Sequence, residues 1–313
     1  MRRALFVISP AGIRHLHVLE RHCREASEAY GWAAELLVTE EGERSAELHH
    51  DLSLYAEEEG ERLVFAVGGD GTVRACAHDL ARSGVPLSIV PRGTANLFSR
   101  APGLPVDLER ALRIGFEGDE RLVDVAFAGG QPFVAMAGIG IDAAIVASTP
   151  RFFKQHLGWL AYGATGLAYL AGPGHEMTLR LDGGQPFTRR AHAVVAGNVG
   201  TLPGGFTILP GAALDDGLLD VGVLEPEGVS GWLRIARLAV TGVEARDHFE
   251  HFRAAKLEVE AEEELPRQLD GDVLLPARSL SVEVQARALL VKVRRSRAGI
   301  AGTPGTFHHA CLL

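Results

Sequence analysis

The chain has 313 residues, enough for two domains with cores of their own, and its 47% apolar and 23% charged residues are those of an ordinary soluble protein. A formal charge of −9 argues against a nucleic-acid partner, because phosphate backbones are held by an excess of Lys and Arg. Cys23, Cys76 and Cys311 show neither pairing nor metal-ligand spacing, so they read as free thiols in a reducing, cytoplasmic setting.

Met1-Arg2-Arg3 resembles the start of a signal peptide, but the apolar stretch behind it stops at Pro10 and reads better as a first strand. From there the pattern alternates: strand 4–8, helix 13–30, strand 33–38, helix 44–59, strand 63–67, helix 73–81 and strand 87–90. Such alternation predicts a parallel sheet covered on both faces, with ligands at the carboxyl ends of its strands.

At one such end stands Gly68-Gly69-Asp70-Gly71-Thr72. Three glycines in four residues let backbone amides approach a ligand, and the helix N-terminus behind them adds partial positive charge; phosphate suits that turn. Asp70 would repel phosphate unless a cation lay between, which suggests Mg²⁺ held directly or through water. The plain alternative is a tight βα connection in which Thr72 caps the helix. No lysine lies where a P-loop needs one. A second loop, Pro91-Arg92-Gly93-Thr94-Ala95-Asn96, follows the next strand and brings Thr94 and Asn96 to the same crevice, as phosphate ligands or as a helix cap before Leu97. Asn96 and Asn198 are the chain's two asparagines, each beside a glycine-containing turn.

Beyond about residue 121 strands dominate: 122–128, 132–137, 177–181, 191–196, 218–224, 257–259, 280–284 and 289–293, with helices at 151–170 and 229–240. Hairpin signals at Gly129-Gly130 and Asp182-Gly183-Gly184 indicate a mostly antiparallel, sandwich-like second domain. The expected division is an α/β domain over 1–123, a β-rich domain over 124–295 and a tail over 296–313, loose or returning to the first domain.

Gly138-Ile139-Gly140-Ile141-Asp142-Ala143 matches a dinucleotide fingerprint in form, yet no Asp or Glu occurs between Ala143 and His175 to take the ribose, and Asp142 is read as a cap or a site-lining group. That carboxylate-free window holds Arg151, Phe152, Phe153, Lys154, Trp159, Tyr162 and Tyr169: a helix facing anionic lipid, or a core helix packed on the sheet. Its uncharged run from 157 to 174 carries five glycines and a proline, which argues against a membrane span. Asp215, Asp216 and Asp220 surround a turn and form either a cation site or a hairpin. Asp270-Gly271-Asp272 is a further Asp-Gly turn, where Asp272 is either a general base that accepts a hydroxyl proton or part of a plain hairpin. His248 and His251 on one helical face, His49-His50 and His308-His309 lack a complementary ligand set and are expected to be solvated.

The ordered set, from Gly68-Gly69-Asp70-Gly71-Thr72 and Pro91 to Asn96, through Val123-Asp124-Val125, Gly138 to Ala143 and Gly204-Gly205-Phe206 to Asp220, to Asp270-Gly271-Asp272, resembles the diacylglycerol kinase catalytic-domain family. The likeness is to its bacterial soluble lipid kinases, related to sphingosine and ceramide kinases. The resemblance implies ATP and Mg²⁺ in a cleft between the two domains, and phosphorylation of a lipid alcohol at a membrane surface by a protein that visits it from the cytoplasm. By it, Ser9, Gly68, Gly69, Asp70, Gly71, Thr72, Thr94, Asn96 and Asp124 belong to the nucleotide site. Asp70, Asp215 and Asp220 belong to metal sites, and Asp272 stands where the family carries a catalytic Glu. Three positions depart from the family: Asp272 is one methylene shorter, Leu97 replaces an Asp, and Ser9-Pro10-Ala11-Gly12 replaces an Asn-Pro-x-Ser-Gly turn. They leave a catalytically impaired nucleotide- or lipid-binding regulator as the alternative. An NAD kinase shares the glycine motif, but neither asparagine precedes a Glu as that family requires. The oligomeric state, a homodimer included, is open.

Overall fold

The computed structural model describes residues 2–39, 46–93, 95–140, 174–201, 207–241 and 248–295. In the first half β1 (Arg3–Ile8), β2 (Ala33–Val38), β3 (Arg62–Gly68) and β4 (Leu87–Pro91) alternate with α1 (Leu16–Ala29), α2 (Ala46–Glu57) and α3 (Asp70–Leu80). Two further helices follow, α4 (Leu97–Arg100) and α5 (Leu108–Glu117). The strands pair in parallel in the order β2-β1-β3-β4. Because side chains alternate across a strand, Phe6 and Phe65 stack at 4.5 Å on the face covered by α1 and α5. Leu5, Val7, Val64 and Ala66 point the other way, into the core shared with α2 and α3. Both faces of the sheet are thus buried, as a parallel sheet requires.

The second half contains β5 (Asp119–Ala128), β6 (Gln131–Phe133), β7 (Met136–Gly140), β8 (His175–Leu181), β9 (Phe187–Ala191), β10 (Ala193–Gly197), β11 (Leu219–Leu224), α6 (Gly228–Thr241), β12 (Phe249–Ala254), β13 (Lys256–Leu269) and β14 (Asp272–Val293). The described pairings among these strands are antiparallel. The fold is therefore an N-terminal α/β unit with a parallel sheet and a C-terminal antiparallel β-rich unit. Hairpins do turn at 129–130, 182–184 and 270–271.

Several strands differ from their expected limits for local reasons. The single strand expected over 132–137 breaks into β6 and β7 because the amides of residues 134–136 turn to the Asp270 carboxylate. The pieces expected at 280–284 and 289–293 are one strand, β14, with an irregularity between Gln285 and Leu289 where Arg287 takes a φ of +50°. The expected strand at 257–259 is the start of the 14-residue β13, whose Glu-rich middle hides its alternation. β12 passes through Phe249-Glu250-His251-Phe252-Arg253-Ala254 and was missed for the same lack of a clear apolar face.

β5 and β14 tie the two units together. Residues 282–285 of β14 pair with 125–128 of β5, residues 289–293 pair with 119–123, and Val291 lies opposite Leu87 of β4 in parallel. One 14-stranded sheet therefore runs through the described molecule. The return to the first unit is made by the end of β14; the tail over 296–313 lies outside the described residues. Among the described residues no helix is long and apolar enough to cross a membrane. Cys23 and Cys76 are buried free thiols, and burial lifts the Cys23 thiol to about 12.

Candidate active site

The turn after β3 positions the site. Gly69 is the N-cap of α3, with the amides of Thr72 and Val73 closing onto its carbonyl at 3.1 Å. Thr72 thus lies inside the helix and does not cap it. The second loop crosses directly over the first: a Cβ on Gly93 would lie 2.5 Å from the Gly69 Cα, so these two backbones can touch only without side chains. The Arg92 amide donates to the Gly68 carbonyl at 2.8 Å, which fixes the crossing, and Ser9 packs beside Gly68. Asn96, at a φ of +47°, accepts from the Gly93 amide at 2.9 Å and donates to the Gly93 carbonyl at 2.7 Å. It closes its own loop with both ends of its amide. Thr94 lies outside the described residues, as does Asp142.

Asp70 links the two loops. Its Oδ1 accepts from the Phe98 amide at 3.1 Å, so it supplies to α4 the cap that Asn96 does not. Burial raises its pKa, the amides of Leu97 and Phe98 oppose that rise, and the nearby Asp272 charge adds to it. The glycine turn and Asp272 thus share one space although 200 residues separate them in sequence. A Cβ on Gly71 would meet nothing closer than Asp272 Oδ2, at 3.9 Å, so the turn is open toward that carboxylate.

The β13–β14 hairpin presents Asp272 with its side chain 52% exposed, and Arg74 of α3, only 8% exposed, forms an ion pair with it. Arg74 also donates to the Leu269 carbonyl at 2.8 Å, so one guanidinium joins the hairpin to the glycine-turn helix. Beneath lies Asp270, which accepts from the amides of Val134, Ala135 and Met136 at 2.8 to 3.0 Å. Burial raises its pKa to about 6 against the pull of those amides and of Arg74. Three carboxylates, Asp70, Asp270 and Asp272, therefore converge on the open face of the turn around Arg74.

The sequence matches the diacylglycerol kinase catalytic domain over residues 3–128 and the YegS C-terminal NAD kinase beta sandwich-like domain over residues 135–293. The chain belongs to the diacylglycerol kinase catalytic-domain family. A Pseudomonas fluorescens protein named "Probable lipid kinase YegS-like" is 33% identical over 276 residues, covering 87% of this chain and 89% of that protein. A relative of the same name from Pseudomonas syringae pv. tomato is 32% identical and covers 97% of each chain. A crystal structure of a candidate diacylglycerol kinase from Bacillus anthracis superposes with a TM-score of 0.73 at 26% identity, over 94% of this chain and 97% of that one.

The remaining carboxylates that the family resemblance assigned to the nucleotide and metal are engaged elsewhere. Asp124, fully buried, accepts from the Gly217 and Arg287 amides, each at 2.7 Å, and so locks the 215–217 turn to the β14 irregularity. Asp215 gives both oxygens to Arg121, at 2.8 and 2.9 Å. Asp220 pairs with His251 at 2.6 Å, and its Oδ2 has no hydrogen-bond partner and lies 3.7 Å from Arg253. Burial raises the Asp220 pKa, and His251 opposes the rise. Among the described residues, the one set of three His, Cys, Asp or Glu ligand atoms within 4.8 Å of one another is His49, His78 and Asp79.

The same geometry corrects the histidine expectation in part. His248 and His251 lie at the β12 strand, not on a helix; His248 is buried at 7% exposure, whereas His251 is exposed and is also the Asp220 partner. His49 is likewise engaged, with Asp79. Sequence reading missed Arg74, although its spacing of four from Asp70 put both on one face of the helix. It also left Asn198 without a role. The Asn198 side chain is buried with Oδ1 and Nδ2 unpartnered, and its amide donates to the carbonyl of Ala135, a residue of the Asp270 clamp. Buried amides without partners are rare.

Proposed function

We propose that the protein is an ATP-dependent lipid kinase that transfers a phosphoryl group to a hydroxyl of diacylglycerol or a related lipid at a membrane surface. The observation that carries this reading is Asp272 set across open space from Gly71 at the start of α3. The residues present fit a nucleotide polyphosphate: the crossed glycine backbones leave room for phosphate oxygens, and α3 aims its N-terminus at them. Three carboxylates around one guanidinium leave a negative surplus, which fits a divalent cation held by one or two carboxylates together with phosphate oxygens. Mg²⁺, when bound, would neutralise charge on the transferring phosphoryl group.

Asp272 is the proton acceptor in this reading. Half exposed, it can reach the hydroxyl of an incoming lipid, and Arg74 orients it. Asp270 holds residues 134–136 against the hairpin and fixes where Asp272 stands. The departure from Glu is compensated by this anchoring, since Arg74 draws the hairpin and α3 together. Labelled ATP with mixed lipid vesicles tests the reading: a phosphorylated lipid forms with the wild type and is lost in Asp272→Ala. The alternative, a nucleotide-binding regulator without catalysis, is favoured by the same ion pair, which engages the carboxylate meant to accept the proton. Calorimetric binding of ATP·Mg²⁺ without turnover on diacylglycerols, sphingoid bases or ceramides would select that alternative.

A further inference from the structure

Away from the cleft, at the far end of the helix that begins with the glycine turn, two histidines share one carboxylate. His49 projects from α2, and His78 and Asp79 from the last turn of α3. The His49 Nδ1 lies 2.7 Å from Asp79 Oδ2, and the His78 Nδ1 lies 2.7 Å from Asp79 Oδ1. The two rings meet at 4.8 Å between centroids, inclined at 62°. Asp79 is 4% exposed in its side chain, whereas His49 and His78 are 37% and 40% exposed. A buried carboxylate thus holds two imidazoles side by side, with one face of the group open to solvent.

We propose that His49, His78 and Asp79 form a transition-metal site of the Zn²⁺ class that fastens α2 to the C-terminal turn of α3. Two imidazole nitrogens and one carboxylate oxygen are a Zn²⁺ donor set, with the fourth position left to water. Ligand atoms around Zn²⁺ at bond lengths near 2.0 Å lie about 3.3 Å apart; the three donor atoms lie within 4.8 Å of one another, so small side-chain rotations bring them onto the ion. With Zn²⁺ on Nδ1, each neutral imidazole would carry its proton on Nε2. Imidazole donors also separate this site from the cleft, because Mg²⁺ takes an oxygen shell and does not compete for nitrogen.

The test uses the full chain, stripped with a chelator and then titrated with ZnCl₂ in excess MgCl₂. One Zn²⁺ per chain is expected, with affinity lower by about a hundredfold or more in His49→Ala and in His78→Ala. Co²⁺ in place of Zn²⁺ gives the intense visible bands of a four-coordinate site in the wild type and not in His49→Ala. Zn²⁺ raises the melting temperature of the wild type and leaves that of His49→Ala unchanged. Both histidines are partly exposed, so their variants melt like the wild type in chelator; Asp79→Asn is the third arm. His308→Ala/His309→Ala, which alters the histidine pair in the tail, leaves binding intact. The proposal is overturned if the wild type takes up no Zn²⁺, if the His49→Ala/His78→Ala double variant binds as the wild type does, or if the tail variant abolishes binding.

Discussion

The turn at 270–272 and the turn at 215–220 read alike in the sequence: carboxylates one to five residues apart, with a glycine, between apolar strands. Their surroundings differ. At 215–220 each carboxylate meets a side chain of its own, Arg121 for Asp215, Arg253 for Asp216 and His251 for Asp220. At 270–272 the carboxylates meet backbone amides, the charge of Asp70 and the shared guanidinium of Arg74. Acidic turns whose carboxylates each have a side-chain partner hold a fold together. An acidic turn left with a surplus of negative charge, facing an open helix N-terminus, has charge to spend on a bound cation and its ligand.

The sharpest way to break this comparison is to remove one carboxylate from each turn. Asp272→Ala is expected to lower kcat by about 10² to 10⁴-fold, the range for loss of a general base, with ATP affinity changed far less. Asp215→Ala is expected to leave kcat within a few-fold and to cost no more than about 1 kcal/mol in denaturant unfolding, because its pair with Arg121 is over a third exposed. Equal kcat losses in the two variants would erase the distinction.

A pH titration of stability sharpens it next. The Asp270 carboxyl is raised from 3.8 to about 6, so it binds its proton more tightly in the folded state. The stability it adds is complete below the unfolded value and is lost as pH rises through 6. Relative to Asp270→Asn, the wild type should lose up to about 3 kcal/mol between about pH 4 and pH 7, measured by urea unfolding at each pH. The raised pKa of Asp70 acts in the same direction but is present in both proteins and largely cancels. A flat difference across that range would mean that the amides and Arg74 balance burial, and a rising one that they outweigh it.

Smaller effects follow from the crossing of the two loops and from the Arg74 bridge. Gly93→Ala places a methyl 2.5 Å from the Gly69 Cα, and backbone has nowhere to yield. A cost of about 1 to 3 kcal/mol is expected, along with weaker ATP binding by calorimetry. Arg74→Ala leaves the buried Leu269 carbonyl without that donor, at about 1 to 3 kcal/mol, and removes the ion pair to Asp272. Its kcat should fall while KM for ATP holds. If kcat rises instead, the ion pair restrains the base and does not orient it.

The alternation of strands and helices over the first hundred residues, the glycine turn after β3, and the Asp-Gly hairpins were legible because each rests on local physics. Period-two and period-3.6 patterning needs a window of ten residues, and a glycine turn needs five. The same locality explains the failures. The Glu-rich stretch of β13 and the polar β12 carry no apolar alternation to read. That β14 runs for 22 residues and carries the sheet from one unit into the other depends on a partner, β5, that begins some 150 residues earlier.

By itself, then, the sequence determined the elements, the two-part architecture, and which turns could hold phosphate or cation. Only the tertiary structure decided which carboxylates keep a charge to spend. Whether Asp215 faces Arg121, whether Asp272 faces Gly71 and Arg74, and whether His49 meets Asp79 are matters of long-range pairing. The electrostatic character of a side chain is set by neighbours within a few ångströms, and in this fold those neighbours lie 30 to 198 residues away in sequence.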